Sequence, residues 1–371
     1  MFTGSAGLRV ECRARMLSAA LFTLPLFACS GVTSHAMTGV GGTSAGSTAA
    51  VGGGSGSVAP AGRSGSPAAA GVGGTAPKDA GSDASSSDDA DNAAGAAGTA
   101  TWSSQPLAAA PSYMGSKDGS SGCTTSYATT GFEPVDTSGK RHPLFLYFVG
   151  TRFVDSDQSA RYDCQAAKQV TEAMARRGFV ALSVDYDNSF SISLDKPACL
   201  FGSTNPLNVL AVACKLPSVD CDRGIATWGH SQGALMAHIA ADSDARVRAV
   251  WTTGYGGNTA AKLPVNRLRV VNAQADTMNS AHDTLTMAAG FSSAECPDDG
   301  RKQCLRADGS GFIIVQTADC QLTAGDHCWF DKLSCTASGE TLEPNWIDPK
   351  STKPFALESN ADWLTRTLQR P

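Results

Sequence analysis

An open, mostly parallel α/β sheet flanked by helices is the fold class this sequence predicts. Apolar runs of strand length alternate with helix-compatible runs from His142 to the C-terminus, and several of the strand runs are apolar at almost every residue. Continuous apolarity marks a strand covered on both faces, and strand-helix alternation marks parallel pairing, which needs a crossover connection. A third observation limits where the fold begins: from about Ser30 to Ala110 the chain is dominated by Gly, Ala, Ser and Thr, with almost no large apolar residue. Such a segment cannot bury enough surface to offset its ordering entropy. The expected organisation is therefore a leader of residues 1–29, a tether of residues 30–110 and one folded domain of residues 111–371. A domain of roughly 260 residues holds one sizeable core.

The elements follow in order. "HPLFLYFVGT", His142 to Thr151, reads as a buried strand, and "RYDCQAAKQVTEAMARRG" from Arg161 as a helix ending at Gly178. "FVALSVDY", Phe179 to Tyr186, closes the first strand-helix-strand unit. "GIATW" is a strand, "GALMAHIAAD" a helix rich in small residues, and "RVRAVWTTG" and "RLRVVNAQAD" are strands. "DTLTMAAGF" is a helix, "GFIIVQTA" a strand, and "FALESNADWLTRTL" the amphipathic helix that closes the domain.

The leader places Arg9, Arg13 and Arg15 ahead of an apolar run, Met16 to Ala28, the layout of an export signal. That run is too short to span a bilayer permanently. Its end, "LFAC", resembles the lipobox of bacterial lipoproteins and makes Cys29 the expected lipidation site, although Phe27 is bulkier than that box usually carries; an ordinary export signal cut nearby is the alternative. As a tether, some 80 residues would span roughly 50 Å as a random coil. Of the 12 cysteines, ten lie from Cys123 onward, an even number that suits disulfides in an oxidising compartment. No C-x-x-C occurs, so no metal site is expected. The acidic stretch Ser82 to Asn92 lacks the glycine and terminal glutamate of a calcium loop. A net charge of −5 gives no reason to expect nucleic acid as a partner. Contact with a membrane is expected only through the anchor, and the protein is expected to be a monomer.

The pattern Gly-x-Ser-x-Gly occurs twice, as "GTSAG" from Gly42 and "GHSQG" from Gly229. The first lies in the tether, where nothing could hold a hydroxyl beside a base. The second sits between a strand-like and a helix-compatible run, with Gly229 and Gly233 leaving room for a sharp turn around Ser231.

With this motif, residues 142 to 371 resemble a serine hydrolase of the α/β-hydrolase fold. The resemblance implies a nucleophile at Ser231, an acid after the strand after next, and a histidine after the last strand. Asp276 and His327 stand at those positions, with Asp283 and Asp326 as alternatives for the acid. It also implies an oxyanion hole of backbone N–H groups, one from Gln232 and one from Thr151 or Arg152. The His-Gly pair frequent at that second loop is replaced by Val149-Gly150. About a dozen residues separate Gly254 from Arg267, too few for a cap domain. Trp251, Tyr255 and Trp329 are candidates to line the substrate site, with Phe330 beside the last. A disulfide from Cys320, Cys328 or Cys335 is expected to staple the loop that carries His327.

The implied activity is cleavage of a carboxylic ester, small or polymeric, without a cofactor. The alternatives are an amidase or peptidase with the same groups, a cutinase-like or polyester-depolymerase-like enzyme, and a non-catalytic lipoprotein that keeps the fold.

Overall fold

The computed structural model describes residues 102–117, 122–152, 161–189, 195–254, 263–277, 285–286, 288–298, 302–322, 325–330 and 341–370. The leader with Cys29, the tether as far as residue 101, Tyr255, Cys335 and, in the helix expected at "DTLTMAAGF", Asp283, Thr284 and Met287 lie outside the described residues.

Eleven strands are present among the described residues: β1 (Ser104–Pro106), β2 (Tyr113–Gly115), β3 (Thr125–Tyr127), β4 (Thr129–Pro134), β5 (Leu144–Phe148), β6 (Val180–Val184), β7 (Ile225–His230), β8 (Val247–Thr253), β9 (Leu268–Ala273), β10 (Gln303–Leu305) and β11 (Gly311–Val315). Nine form one sheet in the order β1-β4-β6-β5-β7-β8-β9-β11-β10, and β2 with β3 forms a separate pair. The central run from β6 to β11 is parallel throughout, while β1, β4 and β10 add antiparallel edges. The helices are α1 (Gln165–Ala175), α2 (Asp195–Phe201), α3 (Val209–Ala213), α4 (Gln232–Ser243), α5 (Pro344–Ile347) and α6 (Leu357–Gln369). This is an α/β fold, as the sequence predicts.

β5, β6, β7 and β9 are buried at every residue, so both faces of the sheet are covered, which is why these strands read as mostly apolar runs. α1 and α6 pack on each other, and α4 lies against β5, β7 and β8 with α2 beside it. α1 begins at Gln165 rather than Arg161, because Cys164 is extended and caps the helix, its Sγ accepting from the Ala167 N–H at 3.5 Å. Gly178 ends that helix region at φ 85°, a conformation that suits glycine.

The folded region reaches further back than residue 111. Trp102 donates its backbone N–H to Arg176 O at 2.8 Å, and β1 pairs with β4. A three-residue edge strand reading Ser-Gln-Pro has no apolar face to reveal it.

Disulfides join Cys123 to Cys199, Cys214 to Cys221 and Cys296 to Cys304. Cys328 is also disulfide-bonded. Cys164 stays a buried thiol, so the ten cysteines do not pair off completely. The Cys320 thiol donates to Gln316 O at 3.8 Å, and of the two described cysteines near His327 it is Cys328 that carries a bridge.

Candidate active site

β7 runs buried along its whole length and passes directly into α4 through one residue, Ser231. Among the described residues Ser231 is the one non-glycine with positive φ, at φ 53° and ψ −118°. Such a conformation costs about 1–3 kcal/mol and persists only where the surroundings impose it. They do so here: Ser231 N–H donates to Thr253 O at 2.9 Å, and Ser231 O accepts from Ala234 and Leu235 at 3.0 and 3.3 Å. The two glycines of the motif are explained by close approach. A Cβ on Gly229 would collide with the Gly233 carbonyl, and one on Gly233 with the carbonyls of Phe148 and Val149.

The other two groups arrive from neighbouring strands. Asp276 follows β9 and His327 lies beyond β11, its parallel neighbour. The fully buried Asp276 carboxylate accepts from His327 Nδ1 at 2.9 Å, and His327 Nε2 has no partner among the described residues. Asp326 is exposed and accepts from the Cys328 N–H at 3.1 Å, so of the described acids Asp276 is the one that orients the ring. The two loops are tied to each other, Ala275 N–H donating to Gly325 O at 2.9 Å.

Glu343 fixes the histidine loop from below, and sequence reasoning missed it. Its buried carboxylate accepts from the N–H groups of Gln321 and Leu322 at 2.8 and 2.9 Å, while its own N–H donates to Phe330 O at 3.0 Å. The available signal was Glu343-Pro344, an N-cap acceptor ahead of a proline at the first helical position.

His230 also has a larger part than its place on the turn suggests. Its buried ring lies 4.8 Å from the His327 ring and 4.8 Å from Phe330, with Nδ1 3.3 Å from Thr253 Oγ1. Gly254, at φ 64°, sits beneath both imidazoles: a Cβ there would stand 2.7 Å from His230 Cε1 and 2.9 Å from His327 Cε1. Gly254→Ala is therefore expected to displace His327 and lower kcat/KM at least about tenfold, since misplacement near 1 Å costs up to about a hundredfold. Steady-state kinetics of the variant check this, and unchanged kcat/KM contradicts it.

Backbone donors surround Ser231 unequally. The first N–H groups of α4, beginning at Gln232, have no intrahelical acceptor and face the turn with the positive end of the helix dipole. Of the pair Thr151 and Arg152, the Arg152 N–H is committed to Asn188 O at 2.8 Å. The Thr151 N–H has no acceptor among the described residues.

Two of the expected substrate-lining aromatics belong to the core instead. Trp251 is 1% exposed and stacks on Trp228 with centroids 4.3 Å apart, because the two residues are in register on adjacent strands. Trp329 is fully buried against Phe330, Trp346 and Phe355. Both positions were read from nearness to the sheet's carboxyl edge, and the rings turn inward from it.

Burial sets the charge state of His230 and His238. It pushes His230 down to about 3, His327 adding to the effect, and His238 down to about 4. Both rings are neutral when folded down to about pH 4, yet take up protons near pH 6.5 when unfolded, so stability falls as pH falls through that window. Asp185 works in the opposite sense. Burial raises its carboxyl to about 6, so that near pH 5 it is protonated when folded and ionised when unfolded, offsetting one of the two protons. The melting temperature is expected to drop between pH 7 and 4.5, with a net uptake of about one proton on unfolding. Calorimetry across that range measures it, and a flat or rising profile contradicts it.

A hydroxyl on a strained turn, an imidazole oriented by a buried carboxylate and unengaged backbone donors are the parts that acyl transfer requires. No family profile matches the chain, and no curated protein matches it. Among solved structures the chain is similar to the PEG-bound complex of a cold-adapted esterase from an Arctic intertidal metagenomic library, at 16% identity and TM-score 0.41 over 72% of this chain and 95% of that one. It is also similar to the native structure of a cold-adapted esterase from such a library, at 14% identity and TM-score 0.38 over 72% and 95%.

Proposed function

We propose that this protein is an exported serine hydrolase that cleaves a carboxylic ester through an acyl-enzyme. The observation that carries the reading is a joint one: Ser231 held at φ 53° between β7 and α4, and, on the loops after β9 and β11, an imidazole paired at 2.9 Å with a buried carboxylate. In this reading Ser231 Oγ adds to the ester carbonyl while its proton passes to His327 Nε2. Asp276 keeps the Nδ1 proton in place and stabilises the imidazolium that forms. The carbonyl oxygen, now negative, is met by the N–H groups of Gln232 and Thr151. Collapse of this intermediate expels the alcohol, which takes the proton from His327, and water then repeats the sequence to release the acid.

The groups present supply the nucleophile, the base and the charge stabilisation, so the reading calls on no cofactor. The short connection after Gly254 supports an uncapped site, open to a bulky ester or a polymer surface as well as to a small one. The leader supports export, and Cys29 followed by a long Gly-, Ala-, Ser- and Thr-rich segment supports anchoring at a membrane.

The test is hydrolysis of p-nitrophenyl esters from acetate to palmitate by the protein purified under oxidising conditions, beside Ser231→Ala. Activity that disappears in the variant supports the reading, and the chain-length optimum separates esterase from lipase. No Ser231-dependent turnover on any ester overturns it.

A further inference from the structure

The turn after β6, Asp187 to Ser189, is bonded in three directions. Toward the loop after β5, Tyr186 Oη donates to Val149 O at 2.7 Å, Asn188 Nδ2 donates to Gly150 O at 2.7 Å, and Asn188 O accepts from the Arg152 N–H at 2.8 Å. Toward α4, Ser189 O accepts from Gln232 Nε2 at 3.1 Å. Toward α2, the same carbonyl accepts from Lys196 Nζ at 3.0 Å, and that ammonium lies 3.8 Å from Asp187 Oδ2. Asp187 Oδ1 closes the turn by accepting the Ser189 N–H at 3.1 Å.

The ion pair in this network is buried, Lys196 being 2% and Asp187 8% exposed. A buried pair gives up the hydration of both ions, and apolar side chains of similar volume commonly serve packing as well or better. Its value here is geometric. The loop that it holds stands directly against the elbow, since a Cβ on Gly150 would lie 3.5 Å from Ser231 Cβ and 3.0 Å from His230 Cδ2. Val149 O, Gly150 O and Arg152 N–H are all tied to residues 186–188, and the Thr151 N–H between them has no acceptor among the described residues.

We propose that Lys196 and Asp187 are positioning residues that fix the Thr151 N–H as the second oxyanion donor, acting through Asn188 on one side and through the Ser189 carbonyl and Gln232 on the other. The proposal rests on the reading of Ser231 as nucleophile. An oxyanion donor works only when held 2.7–3.1 Å from the position the negative oxygen will occupy, and a loop not braced by a second layer of contacts cannot hold it there. Here the brace links both donors to one turn, so that they move as a unit.

Lys196→Met removes the ammonium at similar length, and Asn188→Ala removes the bond to Gly150 while leaving the ion pair. In the full chain, kcat per active site titrated with a fluorophosphonate is expected to fall about 10- to 100-fold in both variants, with KM within about twofold. Affinity for an alkyl trifluoromethyl ketone should fall by the same factor. That inhibitor adds Ser231 Oγ to its carbonyl carbon, passes the proton to His327 and leaves an alkoxide in the hole. A merely structural role would lower the titratable fraction and the melting temperature without changing kcat per site, and that outcome overturns the proposal, as does a rise in KM alone. Should Lys196→Met fail to fold, Asn188→Ala decides by the same readout. Turnover that Ser231→Ala does not abolish, or no turnover in the unaltered protein, overturns the underlying reading. Ser231-dependent turnover with unchanged kcat per site in these variants overturns this proposal alone.

Discussion

Ser231→Ala is expected to lower kcat by about 10⁴- to 10⁶-fold while leaving the fold intact. The hydroxyl makes no hydrogen bond among the described residues, so its removal takes away the nucleophile and little else. Alanine carries the same Cβ as serine and adds no new clash at φ 53°, and the backbone bonds that impose the turn, from Ser231 N–H to Thr253 O and from Ala234 and Leu235 to Ser231 O, do not involve the side chain. The melting temperature should therefore shift by no more than a surface substitution gives, within about 0.5 kcal/mol in stability. Residual turnover above the uncatalysed rate would reflect the helix N-terminus and the remaining donors. Activity within tenfold of the unaltered protein would mean that another residue attacks.

Asp276→Asn is expected to cost about 10³- to 10⁴-fold in kcat near neutral pH, with KM little changed. The substitution keeps the shape of the buried side chain that meets His327 Nδ1 at 2.9 Å. It removes two things. One is the negative charge that stabilises the imidazolium formed when Ser231 gives up its proton. The other is the exclusive acceptor character that keeps the proton on Nδ1: an amide N–H can donate to that nitrogen and so favour the tautomer protonated at Nε2, the atom that must serve as base. If Ser231, His327 and Asp276 act as a unit, as proposed, the double variant Ser231→Ala/Asp276→Asn should be no slower than Ser231→Ala alone. Multiplied losses in the double variant would show that Asp276 acts outside the nucleophile's path.

Much of this site was legible from residue order, because the α/β architecture places loops after parallel strands at one edge. Ser231, Asp276 and His327 each follow a mostly apolar strand, and such strands announce themselves. What was not legible depends on side-chain direction and on polar groups far apart in sequence. Trp251 and Trp329 lie near the edge, but register with Trp228 and cover by Trp346 and Phe355 draw the rings into the core. Arg152 differed from Thr151 only through Asn188, a residue 36 positions further on that no motif singles out. Glu343 and the Lys196-Asp187 pair escaped for the same reason, since a carboxylate holding a distant loop looks in sequence like any surface acid. The edge strand β1 carries no pattern at all.

The sheet order carries a consequence for biogenesis. Ser231 rides on β7, but its partners hang from β9 and β11, and the residue that pins the histidine loop, Glu343, comes later still. A chain synthesised N-terminus first would thus have built the turn at Ser231 well before His327 could reach it. Such contacts between distant parts of a chain are the slow ones in folding. If the proposed function holds, hydrolytic competence is on this topology the last property acquired, and its reappearance during refolding from denaturant would time the docking of the C-terminal quarter rather than collapse of the core.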